Sequence, residues 1–276
     1  MPMQRRDLLR GGLVLGGSVA LAENLPAELQ DTRKSRGLVI DAHCHAGKGE
    51  AMSAPWTTFA DPDVTLRRAR EAGIDRTIIF PIENPTYEKA NDDIARIVAQ
   101  YPDKFIGFAK HNPATEAGNI KSLLTSEVKE KGLRGLKLHQ LPTREVLDVV
   151  AELRIPILFH PPKAADFHMI ASAYPQIDFI MAHLGSFASR DWSEHIQAIE
   201  IAKRYPNVYL ETSSVVFFEY LELAARDLPA EKIIFGSDGP LVDSRVELYK
   251  IRLLNLPKES EEKVLSGNIL RLLSKR

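Results

Sequence analysis

Six of the eight histidines in this chain lie at or just after the ends of short apolar runs. His43 and His45 stand two residues apart, so a β-strand would direct both imidazoles to one face. Imidazole is a good ligand for Zn²⁺ and similar metals, and such a pair gives two fixed coordination directions. The other four are His111, His139, His160 and His183. This distribution predicts a metal site built at the ends of strands.

Asp238 adds a carboxylate to this set, at the end of the last apolar run, IIFGSDGP. In a closed barrel the eighth strand lies beside the first, so Asp238 would approach the pair His43 and His45 from the side. His160, in ILFHPP, would approach from the opposite wall. A lone histidine at a strand end is usually a hydrogen-bonded loop residue, but the combination favours a metal site.

The elements that must position these residues recur regularly. Short runs rich in Val, Ile, Leu and Phe alternate with longer helical patterns, as expected for parallel strands covered on both faces. Eight strand–helix units predict an α/β fold, the (β/α)₈ TIM barrel. An open doubly wound sheet is the alternative, but it needs a glycine-rich loop after the first strand, which is absent here. The runs are Leu38–His43, Thr77–Ile82, Phe105–Lys110, Gly135–His139, Ile155–His160, Phe179–His183, Val208–Thr212 and Ile233–Asp238.

Composition argues against several classes of protein. The 276 residues include 36 Lys and Arg and 37 Asp and Glu, a formal charge of −1. No broad basic field exists to bind a nucleic-acid backbone, so we expect no nucleic-acid partner. Cys44 is the only cysteine, so no intramolecular disulfide can form. We interpret Cys44 as a packing residue.

The first residues have the features of an export signal. Arg5 and Arg6 precede an uncharged stretch, residues 11–22, that ends in Ala-Leu-Ala. The stretch is shorter than the roughly 20 residues of a spanning helix, so we expect no stable membrane span. We predict an export signal over 1–22, of the twin-arginine kind, and a linker over 23–36. A single catalytic domain over 37–276 would then be periplasmic or secreted; an ordinary N-terminal segment is the alternative.

Five motifs give the chain a resemblance to a known family. IDAHCH, RGLKLHQ, ILFHPP, FIMAHLGS and IIFGSDGP occur in this order, from about Leu38 to the end of the chain. In these motifs the chain resembles the amidohydrolase superfamily, and within it the amidohydrolase-related branch of metal-dependent hydrolases and decarboxylases. The resemblance implies a distorted (β/α)₈ barrel with one catalytic metal.

The resemblance also implies roles for particular residues. His43, His45, His160 and Asp238 match the metal positions, and His183 matches a histidine that works as a general acid or base. Asp238 could take a proton from water as well as bind the metal. We expect one divalent transition metal, with Zn²⁺ as the default and Mn²⁺ or Fe²⁺ as alternatives. The resemblance further suggests a homodimer.

Three basic residues are candidates for substrate binding. Lys137 and His139 share one face of the fourth predicted strand, and His111 follows the third. Lys137 or His139 could bind a carboxylate or stabilise an oxyanion, which favours a small anionic substrate. Lys137 has two other interpretations: a carboxylated bridge between two metals, or a buried structural lysine.

The reaction is the least determined part of the prediction. We expect an enzyme that hydrolyses a small anionic or cyclic substrate, a lactone or an amide, using metal-activated water with His183 and Asp238 as proton carriers. Non-oxidative decarboxylation of a small unsaturated or aromatic acid is the alternative. A catalytically silent metal-binding scaffold is a third interpretation. The balanced charge argues against a nucleic-acid deaminase or nuclease, which would need a basic surface.

Overall fold

A computed structural model describes residues 37–50 and 58–275 of the chain. The residues from Leu38 onward form one compact unit. The predicted export signal, residues 1–22, and the predicted linker, residues 23–36, lie outside the described residues.

Each of the eight predicted runs contains a parallel strand. The run at Phe105–Lys110 is divided in two by Phe108, and one short antiparallel strand, β2, was not predicted. The strands are β1 (Ile40–Lys48), β2 (Phe59–Ala60), β3 (Arg76–Pro81), β4 (Phe105–Gly107), β5 (Ala109–Lys110), β6 (Leu136–Leu138), β7 (Ile157–Phe159), β8 (Phe179–Met181), β9 (Val208–Glu211) and β10 (Ile233–Ile234).

Two sheets, ordered β2-β1-β3-β4 and β10-β9-β8-β7-β6-β5, are joined at both sides by backbone hydrogen bonds. At one side the amide of Phe108 donates to the carbonyl of Ile79, while the next residue, Ala109, donates to the carbonyl of Gly135. At the other side Ala42 donates to Phe235, and Asp238 donates to His43 at 2.7 Å. The parallel strands therefore surround a common interior, which confirms the predicted (β/α)₈ barrel.

Among the described residues, seven helices lie between strands along the chain, and three follow the last strand. Asp61, Asp191 and Asp243 cap three of them by accepting a hydrogen bond from the amide two residues further on. The helices are α1 (Pro62–Ala72), α2 (Glu88–Gln100), α3 (Ile120–Lys129), α4 (Arg144–Leu153), α5 (Phe167–Ala173), α6 (Trp192–Arg204), α7 (Glu219–Asp227), α8 (Ser244–Leu253), α9 (Lys258–Glu262) and α10 (Asn268–Leu273).

Apolar strand residues divide into two buried groups. One group fills the barrel interior and includes Ile40, Phe80 and Phe108. The other lies between the strands and the helices and includes Cys44, which is buried, unpaired and packed in the core. This alternation follows from the two-residue period of a strand and leaves the carboxyl ends of the strands for polar residues.

Candidate metal centre

A bulge in β1 brings His43 and His45 to the carboxyl end of the barrel. The pairing of β1 with β3 shifts register between Asp41 and Cys44. Before the shift Ile40 and Ala42 belong to the interior group, whereas after it Cys44 belongs to the outer group. The extra residue therefore exchanges the two faces of the strand, and the odd-numbered histidines acquire the interior side.

Asp238 meets both histidines, as the sequence predicted. Its Oδ1 atom lies 3.3 Å from Nε2 of His43 and 3.3 Å from Nε2 of His45. Its Oδ2 atom accepts a hydrogen bond from the Ser214 hydroxyl at 3.1 Å. The backbone of Asp238 is left-handed, with φ of 61°, a conformation that costs energy for any residue other than glycine.

The Nδ1 atoms of His43 and His45 are both engaged, so their Nε2 atoms are the ones that face Asp238. Nδ1 of His43 lies 2.8 Å from Glu211 Oε2, and Nδ1 of His45 lies 3.2 Å from the carbonyl of Pro81. A carbonyl oxygen and an ionised carboxylate can only accept hydrogen bonds. The protons of the two rings therefore belong on Nδ1. Metal-binding histidines are commonly oriented by this arrangement.

His183 belongs to the same cluster. The ligand atoms of His43, His183 and Asp238 all lie within 4.8 Å of one another. Nδ1 of His183 contacts the hydroxyl and the carbonyl of Ser213 at 2.9 and 3.3 Å. His183 also has a left-handed backbone, with φ of 57°.

The chemistry of this donor set fits a divalent cation. Burial lowers the pKa of His43 and of His183 well below the ordinary value, and it lowers that of His45, which favours the neutral form of all three rings. Unprotonated Nε2 atoms of His43 and His45 therefore face a carboxylate oxygen, an arrangement of acceptors that a metal ion would satisfy. His43, His45, His183 and Asp238 are the residues placed to hold it.

His160, the fourth predicted ligand, lies at the edge of this cluster. Its ring centre is 4.6 Å from that of His183, and its side chain is partly exposed to the cavity. Burial lowers its pKa to about 4. His183, predicted as a general acid or base, therefore belongs to the tightest group of ligand atoms, whereas His160 lies beside that group.

Lys137 lies beneath the cluster and not on the cavity wall. Its side chain is fully buried, and its Nζ atom is 3.3 Å from Nε2 of His43. Burial lowers its pKa to about 7, although nearby Asp238 opposes the shift. The structure therefore does not place Lys137 where a substrate carboxylate would enter, in contrast to its prediction as a binding residue.

His111 is displaced from the site altogether. Its Nε2 atom lies 2.8 Å from Glu127, and its Nδ1 atom lies 3.1 Å from Glu116. Both nitrogens are occupied and the ring is fully buried, so the prediction of His111 as a substrate-binding residue is corrected. The chain turns His111 toward α3, because the strand ends one residue earlier, at Lys110.

His139, by contrast, lines the cavity together with Glu83. Nδ1 of His139 lies 2.6 Å from Glu83 Oε1, which also accepts from Lys110 Nζ at 2.7 Å. Although burial opposes it, His139 and Lys110 hold the pKa of Glu83 well below its usual range. Glu83 is therefore an anion, and its Oε1 atom has two donors.

The cavity at this end of the barrel has a volume of about 440 Å³. It joins the histidine–aspartate cluster to an apolar wall and to one arginine. The lining residues are His45, Glu83, His139, His160, Pro161, Pro162, His183, Phe187, Arg190, Asp238 and Leu241.

Three charged residues of this region were absent from the sequence prediction. Glu83 and Arg190 follow predicted strands, in IFPIEN and SFASRDW, and that position was the available signal. Glu211 lies within a strand, in VYLETSS, and no local pattern distinguishes it. Its role depends on His43, which is 168 positions away.

The sequence profile of the amidohydrolase family matches residues 40–275, nearly the whole described unit. The chain belongs to the amidohydrolase family. This family consists of metal-dependent enzymes, including decarboxylases and hydrolases, and the buried donor cluster agrees with that chemistry. No curated protein matches the chain in sequence.

Solved structures with the same fold share little sequence with this family member. One is 5-carboxyvanillate decarboxylase LigW from Sphingomonas paucimobilis, with 14% identity, TM-score 0.68, and coverage of 86% of this chain and 98% of that chain. Another is a dihydroxybenzoic acid decarboxylase from Polaromonas sp. JS666 with bound manganese and 2-nitroresorcinol, with 18% identity, TM-score 0.68, and coverage of 86% and 97%.

A third structure has a hydrolase description. It is a probable 2-pyrone-4,6-dicarboxylic acid hydrolase from Acinetobacter baumannii with citric acid bound, with 17% identity, TM-score 0.66, and coverage of 85% of this chain and 98% of that chain. At these identities the three structures establish the fold of the amidohydrolase. Within its described part, no helix has the length and apolar character needed to cross a membrane.

Proposed function

We propose that this amidohydrolase is a metal-dependent decarboxylase of a small planar carboxylic acid. The observation that supports this most directly is the combination in one cavity of a donor cluster for a metal with a flat apolar wall. The decarboxylases with the same fold, whose described substrates are ring acids, favour this reaction over hydrolysis.

The apolar wall suits a ring. Pro161, Pro162, Phe187 and Leu241 line the cavity, and flat apolar surfaces of this kind pack against planar groups. The guanidinium of Arg190 lies 5.3 Å from the centre of the Phe187 ring. A ring acid bound here would contact Phe187 and bring an anionic group toward Arg190.

Arg190 is available for that role. No carboxylate among the described residues forms an ion pair with it, whereas the buried cation Lys110 is paired with Glu83. A guanidinium binds a carboxylate through two parallel hydrogen bonds, which fixes orientation as well as charge. We assign the recognition of an acidic group to Arg190 and not to Lys137.

His43, His45, His183 and Asp238 would hold the metal, for which Zn²⁺ is the expected ion and Mn²⁺ the alternative. When bound, a divalent metal supplies Lewis-acid chemistry by polarising an oxygen of the substrate. The chain's own contribution is to fix the donors through Glu211, Pro81 and Ser213.

Asp238 and His183 are the side chains placed to move the proton. In decarboxylation the bond between the ring carbon and the carboxyl carbon breaks, CO₂ leaves, and the electron pair stays on the ring carbon. A proton then forms the new C–H bond. Asp238, held by Ser214, and His183, held by Ser213, both line the cavity. Either side chain would first take a proton from water in the cavity and then deliver it to the ring carbon.

The test is release of CO₂ by the metal-loaded enzyme from a panel of aromatic and unsaturated acids. We expect Arg190→Gln to lower kcat/KM for the best substrate by roughly 10- to 100-fold. Arg204→Gln, a change on α6 outside the cavity, is the matched control. Turnover without CO₂, or an unchanged kcat/KM in Arg190→Gln, would contradict the proposal.

Hydrolysis of a lactone or an amide is the second candidate. It is favoured by the exposure of Arg190, because this wall of the cavity meets solvent and admits water to Asp238. The same enzyme, tested with uncharged and anionic lactones and amides, would then release acid without CO₂. Metal binding without turnover of any compound would instead support the silent scaffold.

A further inference from the structure

The cavity wall beside His45 contains a partly buried charge arrangement that the proposed reaction does not use. Glu83 accepts from His139 and Lys110 through Oε1, and from the Tyr87 hydroxyl through Oε2 at 2.7 Å. Lys110 and Tyr87 are almost completely buried, whereas Glu83 and His139 reach the cavity. The carboxylate is therefore held from three directions.

This arrangement fixes the proton of His139. Because an ionised carboxylate can only accept, the close contact with Glu83 requires that Nδ1 of His139 carry the hydrogen. Lys110 neutralises the charge of Glu83, so there is no net negative charge to attract a second proton to the ring.

A neutral ring protonated at Nδ1 has one remaining nitrogen. No described residue forms a hydrogen bond with Nε2 of His139, and the ring lies on the cavity wall, 5.6 Å from the ring of His160. Such a nitrogen accepts a hydrogen bond and repels a carboxylate. The geometry points to His139 as a specificity-determining residue that selects substrates carrying a hydroxyl or N–H donor, with Glu83 as its positioning residue.

This inference rests on the proposed function in one respect, namely that the substrate is a planar ring carrying a carboxylic acid. It differs from the sequence prediction, in which His139 could bind a carboxylate or an oxyanion. A neutral acceptor favours a hydroxylated acid over the unsubstituted acid, because a buried acceptor without a partner is costly.

The test is calorimetric binding of benzoate, the three monohydroxybenzoates and 2,6-dihydroxybenzoate to the zinc-loaded enzyme. We expect at least one hydroxylated acid to bind about tenfold more tightly than benzoate. His139→Leu should abolish this preference, so that within this variant the hydroxylated acids and benzoate bind with similar affinity. His168→Leu, a change of an exposed histidine on α5, should keep it.

A second measurement reports the tautomer directly. In the ¹⁵N spectrum of histidine-labelled enzyme, Nε2 of His139 should be unprotonated, and Glu83→Gln should change the tautomer population. Glu200→Gln, on the exposed face of α6, is the matched control. The first of these measurements needs no variant, because the tautomer of His139 is measured in the unmodified chain.

The outcomes separate the two proposals. A hydroxyl preference that depends on His139, without CO₂ release from any acid, would uphold this inference and contradict decarboxylation. No hydroxyl preference, whether all acids bind equally or none binds, would overturn the inference even if CO₂ is released. A proton on Nε2 of His139 in the unmodified enzyme would also overturn it.

Discussion

Glu211 shows how a single buried residue can set the chemistry of its neighbours. Its carboxylate accepts four hydrogen bonds, from His43 Nδ1, from the amides of His183 and Ser213, and from the Ser213 hydroxyl. Gly236 makes the close approach feasible, since a Cβ there would lie 2.3 Å from Glu211 Oε1. Burial raises the pKa of Glu211, but these donors favour the carboxylate.

Glu211→Gln should therefore weaken metal binding. An amide can accept through one oxygen only, so its NH₂ group would face donors and the orientation of His43 would be lost. We expect the affinity for Zn²⁺ and for Mn²⁺ to fall about 10- to 100-fold, measured by competition with a chelator. Glu200→Gln should bind as the unmodified chain does, and equal affinity in both variants would refute this role.

Residue types at strand ends carried most of the sequence-based prediction of the site. His43, His45, His139, His160, His183 and Asp238 all line or underlie one cavity, because consecutive parallel strands end on the same side. The sequence did not reveal Glu83, Glu211 or Arg190, whose partners are distant in the chain. It misplaced His111 for the same reason, since Glu116 and Glu127 determine where that ring points.

At the scale of elements, the junction of β1 with the segment after β10 determines where the metal donors meet. Asp41 accepts from the Ser237 hydroxyl at 2.6 Å and from the Ser237 amide at 2.9 Å. It also accepts from the amide of His43 at 3.1 Å. Burial raises the pKa of Asp41 to about 6 despite these donors. The junction thus connects the strand of His43 to the segment of Asp238.

Ser237→Ala should weaken this junction. It removes the shortest hydrogen bond to a fully buried carboxylate, and we expect unfolding free energy to fall by about 1–3 kcal/mol in urea. The loss should be larger above pH 6 than below it, because only the ionised Asp41 requires its donors. Ser172→Ala, on the exposed end of α5, should change stability by less than about 0.5 kcal/mol. A loss no greater than this at Ser237 would count against the junction.

The elements themselves were largely predictable, because apolar runs alternate with helical patterns throughout the chain. What escaped prediction was local geometry. The bulge in β1 moves the histidines to the interior side, and Phe108 divides the third run between two sheets. Both follow from long-range backbone pairing, which a short window of sequence does not contain.

Buried charge pairs connect separate parts of the whole molecule, in which a single cysteine can form no intramolecular disulfide. His111, Glu116 and Glu127 connect the loop after β5 to α3, and Asn91 on α2 donates to Glu127 at 2.8 Å. Burial alone would lower the pKa of His111, but the two carboxylates raise it to about 9. The protonated ring thus joins separate parts of the outer layer.

This pKa predicts how stability changes with pH. Because the folded pKa of about 9 exceeds the ordinary 6.5, the contribution of His111 is complete below about pH 6.5 and is lost as the pH rises through 9. The unfolding free energy of the unmodified chain relative to His111→Asn should fall by on the order of 3 kcal/mol between these limits. His168→Asn serves as the control, and a difference independent of pH would show that His111 is not charged.

We propose that His43, His45, His183 and Asp238 hold one divalent metal, and the metal content per chain is the first measurement to make. Elemental mass spectrometry of the purified protein should find about one divalent transition metal per chain. His43→Ala and Asp238→Ala should lack it while circular dichroism still reports a folded barrel. About two metals would favour Lys137 as a carboxylated bridge in place of a single-metal site. No metal after incubation with Zn²⁺ or Mn²⁺, or undiminished metal in both folded variants, would exclude a metal site at these residues.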